Sequence, residues 1–201
     1  MLVQLFIGIA LLATVSIGTP YHVPSHLLAE VIKTERAYSE DQNSDKAKFE
    51  LAMAYGYTGN ILEGWKLLKT IDKGYAEVVV KNYYKKQIDD PNNWKHSFKL
   101  AFGYYFIGDK TLALEAFNHV LELNPKQVWT MGVIALIEGE EGDTDSALEW
   151  CRRALKIEPN ATAIHLLAAE GYRRKNDYLS AISHVLTFGR LSAQEGVELP
   201  K

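Results

Sequence analysis

"GDKTLALEAFNHVLELNP" at residues 108–125 reads as a turn, a helix with one apolar side, and a stop. Nearly the same line returns as "GDTDSALEWCRRALKIEP" at 142–159 and, more worn, as "NDYLSAISHVLTFGRLSA" at 176–193. Three sets of residues share a spacing of 34: Gly74, Gly108, Gly142 and Asn176; Pro91, Pro125 and Pro159; Ala113, Ala147 and Ala181. Glycine or asparagine tolerates the left-handed backbone that ends one helix and turns tightly into its partner. Proline halts the second helix and lets the next unit begin. Alanine in the second helix lets two helix axes approach closely, and Phe117, Cys151 and Val185 follow one turn further along the same inward side. A two-helix unit of this length cannot bury its apolar face alone, so consecutive copies must stack into one continuous core.

Outward from these lines the chain alternates short amphipathic stretches with Gly, Asn, Asp or Pro punctuation, and no segment shows the period-two alternation of a strand. The expected class is all-α. "TPYHVPSHLL" suits an extended linker leading to a helix that starts at Ser25, so residues 19–44 read as linker and first amphipathic helix. "YAEVVVKNYY" is the weakest helix by local propensity because of its three valines.

At these positions the chain resembles the tetratricopeptide repeat family. "FKLAFGYYFIGDKTLALEAFNHVLELNP" sets Leu100, Ala101, Tyr104, Gly108, Ala113, Phe117 and Pro125 where that family has its large, small, aromatic, glycine, alanine, aromatic and proline positions. "FELAMAYGYTGN" offers Leu51, Ala52, Tyr55 and Gly59 in the same order, and the likeness runs over roughly residues 45–190. The resemblance implies a helical-hairpin solenoid coiled as a right-handed superhelix. Two departures stand out: Glu138 replaces a first-helix tyrosine, and Ala193 replaces the fourth proline. The copies beginning near Asp45 and Trp94 are 49 residues apart rather than 34, so an extra helix at about 75–89 must be inserted or shared between registers.

The family acts by docking peptides or protein segments on a concave surface lined by first helices. Carried over by position, that groove comprises Phe49, Met53, Phe98, Phe102, Tyr105, Trp129, Leu136 and Arg173, with Glu170 beside the last. Its aromatic character implies a hydrophobic peptide or partner helix. Phe98 and Phe102 occupy places where the family's clamp for terminal carboxylates uses lysine and asparagine, so that ligand type is not expected.

"MLVQLFIGIALLATVSIG" at 1–18 is apolar and, as a helix, reaches roughly 27 Å. It reads as a membrane-crossing helix, as a secretory signal cut ahead of Thr19, or as a first solenoid helix. Export or membrane attachment is the expectation, although no Lys or Arg precedes Lys33 to fix an orientation. A solenoid also exposes apolar surface at uncapped ends. The tail at 191–201 is Gly-broken and short, which leaves Ile182, Val185 and Phe188 to join Leu5, Phe6, Ile9 and Leu12 as a candidate assembly surface for a homo-oligomer.

A net charge of -3 with no basic stripe argues against nucleic acid. The acidic run "EGEEGDTD" at 138–145 lacks the ligand alternation of a calcium loop. Six scattered histidines make no metal-ligand spacing, and Cys151 sits on the inward ladder as a buried thiol, so neither metal nor cofactor is expected. Without a phosphate loop, nucleophile elbow or acid–base pair, the chain reads as a non-enzymatic protein-interaction scaffold. The alternative is a structural subunit that polymerises through its two apolar ends.

Overall fold

The computed structural model describes residues 23–197, and among them are ten α-helices and no strand. They are α1 (Ser25–Glu40), α2 (Asp45–Thr58), α3 (Ile61–Leu68), α4 (Tyr75–Asp89), α5 (Trp94–Ile107), α6 (Lys110–Leu123), α7 (Val128–Glu141), α8 (Thr144–Ile157), α9 (Thr162–Arg174) and α10 (Tyr178–Val197). The apolar run at 1–18, and with it the export, anchoring and N-terminal helix expectations, lies outside the described residues.

Helices α5 and α6, α7 and α8, and α9 and α10 form antiparallel hairpins, and each hairpin leans on the next. The joints follow one recipe. Gly108, Gly142 and Asn176 take positive φ of 89°, 93° and 59°, ending the first helix in a left-handed turn. The next residue then caps the second helix: Asp109, Asp143 and Asp177 accept the backbone N–H of Leu112, Ser146 and Ser180 at 3.0, 2.9 and 3.1 Å. Glu138 fits this plan in place of a tyrosine because the joint uses its carbonyl, which accepts from the Asp143 N–H at 3.0 Å.

Gly74 departs from the glycine ladder. The left-handed turn of the first hairpin falls at Gly59, with φ 99°, and joins α2 to α3. Helix α3 has only 8 residues, so the chain turns again before α4, and Gly74 stands at the start of that helix in right-handed conformation with its N–H on Asp72 Oδ1. Helix α4 then packs on α5. This contact is close at Gly103, where a β-carbon would lie 2.9 Å from Val80 Cγ2. Two of the three valines that weaken α4 as an isolated helix, Val79 and Val80, supply its packing face while Val78 stays exposed, an instance of tertiary burial outweighing propensity.

Helix α7 is apolar nearly all round and is buried on most of its length, from Val128 to Ile137. It is covered by α6, α8 and α9 and also meets α2, where the Gln127 side-chain amide ahead of α7 donates to the carbonyl of Tyr57 at 3.2 Å. The solenoid is thus closed on itself between its first hairpin and its middle.

The C-terminal tail differs from expectation. Helix α10 does not stop near 190 but continues to Val197 through Gly189 and Gly196. A glycine inside a helix costs about 1 kcal/mol, which burial of Leu191 offsets.

Candidate functional site

The groove expected from the repeat register is filled. Phe49, Met53, Phe98, Phe102, Trp129 and Leu136 are all buried, Phe98 to 0% exposure, so they pack as core, with Phe49 also lining the cleft described below. The reason is aromatic crowding. Phe98 lies 5.1 Å from Phe102, 5.8 Å from Phe117 and 5.5 Å from Tyr57 between ring centroids, mostly edge to face, and Trp94 closes the cluster at 5.3 Å from Tyr57. Tyr57 of α2 and Phe117 of α6 meet the α5 rings from either side and leave no open wall between them.

The two remaining groove residues are partly exposed and engaged. Tyr105 is half-buried and donates its hydroxyl to Glu140 at 3.0 Å. Arg173 grips the buried Glu170 with two hydrogen bonds of 2.7 and 2.8 Å, while Arg174 adds a third at 2.9 Å and reaches the carbonyl of Gly139 at 2.6 Å. The bonds from Arg173 and Arg174 hold the Glu170 carboxyl below its usual range despite burial. This cluster ties α9 to α7.

Beneath α1 lies a second polar assembly. Glu30 accepts from the Tyr57 hydroxyl and the Lys95 ammonium, Lys99 bridges Glu50 at 2.7 Å and Glu30 at 3.7 Å, and Glu50 also accepts from the Tyr83 hydroxyl. Burial pushes both carboxyl pKa values up, but the lysines and tyrosine hydroxyls outweigh it and leave both below the ordinary carboxylate value. The tyrosine pKa values move up, from burial and from those carboxylates. Four helices meet here with each partner satisfied, so the cluster fixes the angle of α1 over α2, α4 and α5.

An open apolar cleft does exist, at a place the repeat register did not indicate. The connection between α3 and α4 bows away from α5 and leaves a 420 Å³ hollow walled by Leu68, Ile71, Tyr75, Val79 and Phe106, with Phe49 among the residues that line it. Lys69, Asp72 and Lys73 stand exposed on its rim. The signal for it in the sequence was the interval of 49 residues, which forces chain out of the regular stack.

Among the described residues, no group of three or more His, Cys, Asp or Glu side chains could hold a metal ion, and no helix is long and apolar enough to cross a membrane. Cys151 is buried, and burial raises its thiol to about 12. His165 and His184 face each other across α9 and α10, Nδ1 to Nδ1 at 2.9 Å, and the other ring nitrogen of His165 meets the Pro159 carbonyl at 2.9 Å. Of the candidate assembly residues, Ile182 and Val185 are exposed and Phe188 is half-buried, while Leu5, Phe6, Ile9 and Leu12 lie outside the described residues.

Comparison with known proteins places this geometry. The tetratricopeptide repeat family model matches residues 98–127 and 130–161. Among solved structures, the chain is similar to MamA at TM-score 0.55 and 14% identity, over 82% of this chain and 88% of that one. A MamA fragment, 41-end from Desulfovibrio magneticus RS-1, gives TM-score 0.55 at 16% identity over 82% and 84%. The MamA RS-1 ArsTM double mutant gives 0.56 at 16% identity over 82% and 84%. No curated protein matches the chain by sequence. Stacked hairpins of this kind present extended surfaces to other molecules; the two segments that match the tetratricopeptide repeat model coincide with α5–α6 and α7–α8, and the chain folds as a tetratricopeptide-like helical solenoid.

Proposed function

We propose that the chain is a non-enzymatic scaffold for protein–protein interaction, exported or membrane-attached, that holds a hydrophobic peptide or helix of a partner protein. The observation that carries the docking reading is the apolar cleft between the α3–α4 connection and α5. Its walls suit one aromatic or branched aliphatic side chain as an anchor. Its rim favours an acidic neighbour: Lys69 and Lys73 are exposed there, whereas Asp72 already accepts the Gly74 N–H at 2.8 Å. The export or attachment reading rests on the uncharged run at 1–18.

A fluorescein-labelled probe peptide with one phenylalanine set between aspartates tests the cleft, with its phenylalanine-to-serine version as control. Anisotropy is expected to rise for the first peptide only, and Phe106→Asp or the pair Lys69→Glu, Lys73→Glu to abolish the rise at unchanged helicity. Equal binding by wild type and Phe106→Asp removes the cleft as the site. Fractionation with mass analysis of the mature N-terminus tests the rest, and an uncut chain in the soluble cytosolic fraction would overturn export and attachment.

A further inference from the structure

Leu148 and Cys151 on α8 are buried, and Leu148 presses on Gly171 of the following first helix. One repeat later the same two register positions are Ile182 and Val185 on α10, which are 56% and 49% exposed. Among the described residues no further first helix follows to cover them. Leu179 and Leu186 extend the bare strip at 85% and 67% exposure.

The pattern of the strip is more specific than exposure alone. Leu179, Ile182, Leu186 and Gly189 are spaced three, four and three residues apart, the seam of a heptad helix. Nothing lies within 4 Å of where a β-carbon on Gly189 would be, so the seam ends in open space with no side chain to hold a neighbouring helix away. The only ionisable groups from Tyr178 to Gly189 are the Tyr178 phenol and His184. His184 turns inward instead, against His165 and stacked on Tyr172 at 5.5 Å. A seam without charge offers no electrostatic complement to a charged partner.

That spacing reads the same from either end about residue 184. A second α10 laid antiparallel therefore brings Leu179 over Gly189 of the partner subunit and Ile182 over Leu186 of the partner subunit. The exposed apolar residues of α10 offer on the order of 600 Å² per copy, near the roughly 800 Å² that a standard interface buries on each side. The opposite end of the solenoid matches it poorly, since Leu28 and Ile32 on α1 stand beside exposed Lys33 and Arg36.

We propose that α10 is a dimerisation helix through which two copies of this chain pair antiparallel about a two-fold axis near residue 184. The contact is isologous and closes at two copies, so it yields a dimer and not a filament. It is independent of the peptide cleft, which α10 does not line.

The test uses the full chain in detergent, by sedimentation velocity across a dilution series. Wild type is expected at twice the chain mass over the upper part of the series, and Leu186→Glu at the chain mass with unchanged helicity and thermal midpoint. Leu179→Gln, at a position so exposed that folding barely uses it, serves as the second variant and is expected to weaken the dimer at least tenfold. For orientation, Leu179→Cys and Gly189→Cys chains are prepared separately in a Cys151→Ala background. A disulfide dimer is expected when the two are mixed and not from either alone. A monomeric wild type, a mass that keeps growing with concentration, a dimer that survives both substitutions, or crosslinking of Leu179→Cys chains by themselves would each overturn the proposal.

Discussion

Gly103 of α5 and Val80 of α4 are so closely apposed that a β-carbon on the glycine would lie 2.9 Å from the valine Cγ2 and 3.2 Å from its backbone nitrogen. Val79 Cγ1 would be met at 3.0 Å as well, and β-branched side chains have few rotamers with which to yield. The inserted helix is held by this contact. Gly103→Ala is therefore expected to destabilise by about 1 to 3 kcal/mol through overpacking, although alanine alone would favour the helix. Gly132→Ala, whose nearest neighbour is Ile164 at 3.4 Å, is expected to be neutral or to stabilise by up to about 1 kcal/mol. Chemical denaturation of both variants checks the contrast, and a stabilised Gly103→Ala would mean that α4 does not dock as described.

The ion cluster under α1 makes stability depend on acid. Glu30 and Glu50 have lowered folded-state pKa values, so their contribution is complete above the unfolded carboxylate value near 4.3 and is lost as pH falls from there through the folded values. Urea midpoints should fall on acidification, and the fall should be shallower in Glu30→Gln, Glu50→Gln. Lys99→Met leaves two carboxylates without their shared cation and is expected to cost about 3 kcal/mol or more at neutral pH.

The histidine pair places a second acid-sensitive joint at the last hairpin. Burial, and then the neighbouring His165, lowers the pKa of His184, so the unfolded chain takes up a proton first as pH drops below about 6.5. Corrected for the intrinsic pH dependence of amide exchange, protection in α9 and α10 should fall between neutral and mildly acidic buffer, with protection in α5 and α6 unchanged. His184→Phe should remove most of that difference, and an unchanged pH response in this variant would exclude the pair as its origin.

Cys151 is sealed between α8 and its neighbours with its thiol raised to about 12. A chromogenic disulfide reagent should fail to modify the native chain and titrate one thiol after denaturation. Rapid native reaction would show that this part of the stack opens.

The ladders at 34-residue spacing carried the hairpin architecture because each turn is set by a local requirement: a left-handed residue, a capping acid, a proline stop. Asp109, Asp143 and Asp177 form a fourth ladder at the same spacing, equally legible though visible as caps only in three dimensions. Which side of each first helix stays open was not legible. Phe98 and Phe102 read equally as groove and as core, and their burial depended on Tyr57 of α2 and Phe117 of α6 closing over them. Periodicity thus determined the paired helices and their stacking order, since those follow from short-range backbone and side-chain preferences. The tertiary structure alone decided that the inner wall is packed shut and which residues wall the cleft that the 49-residue interval opens. Those outcomes rest on how distant surfaces fill one another's volume, a property that no local spacing encodes.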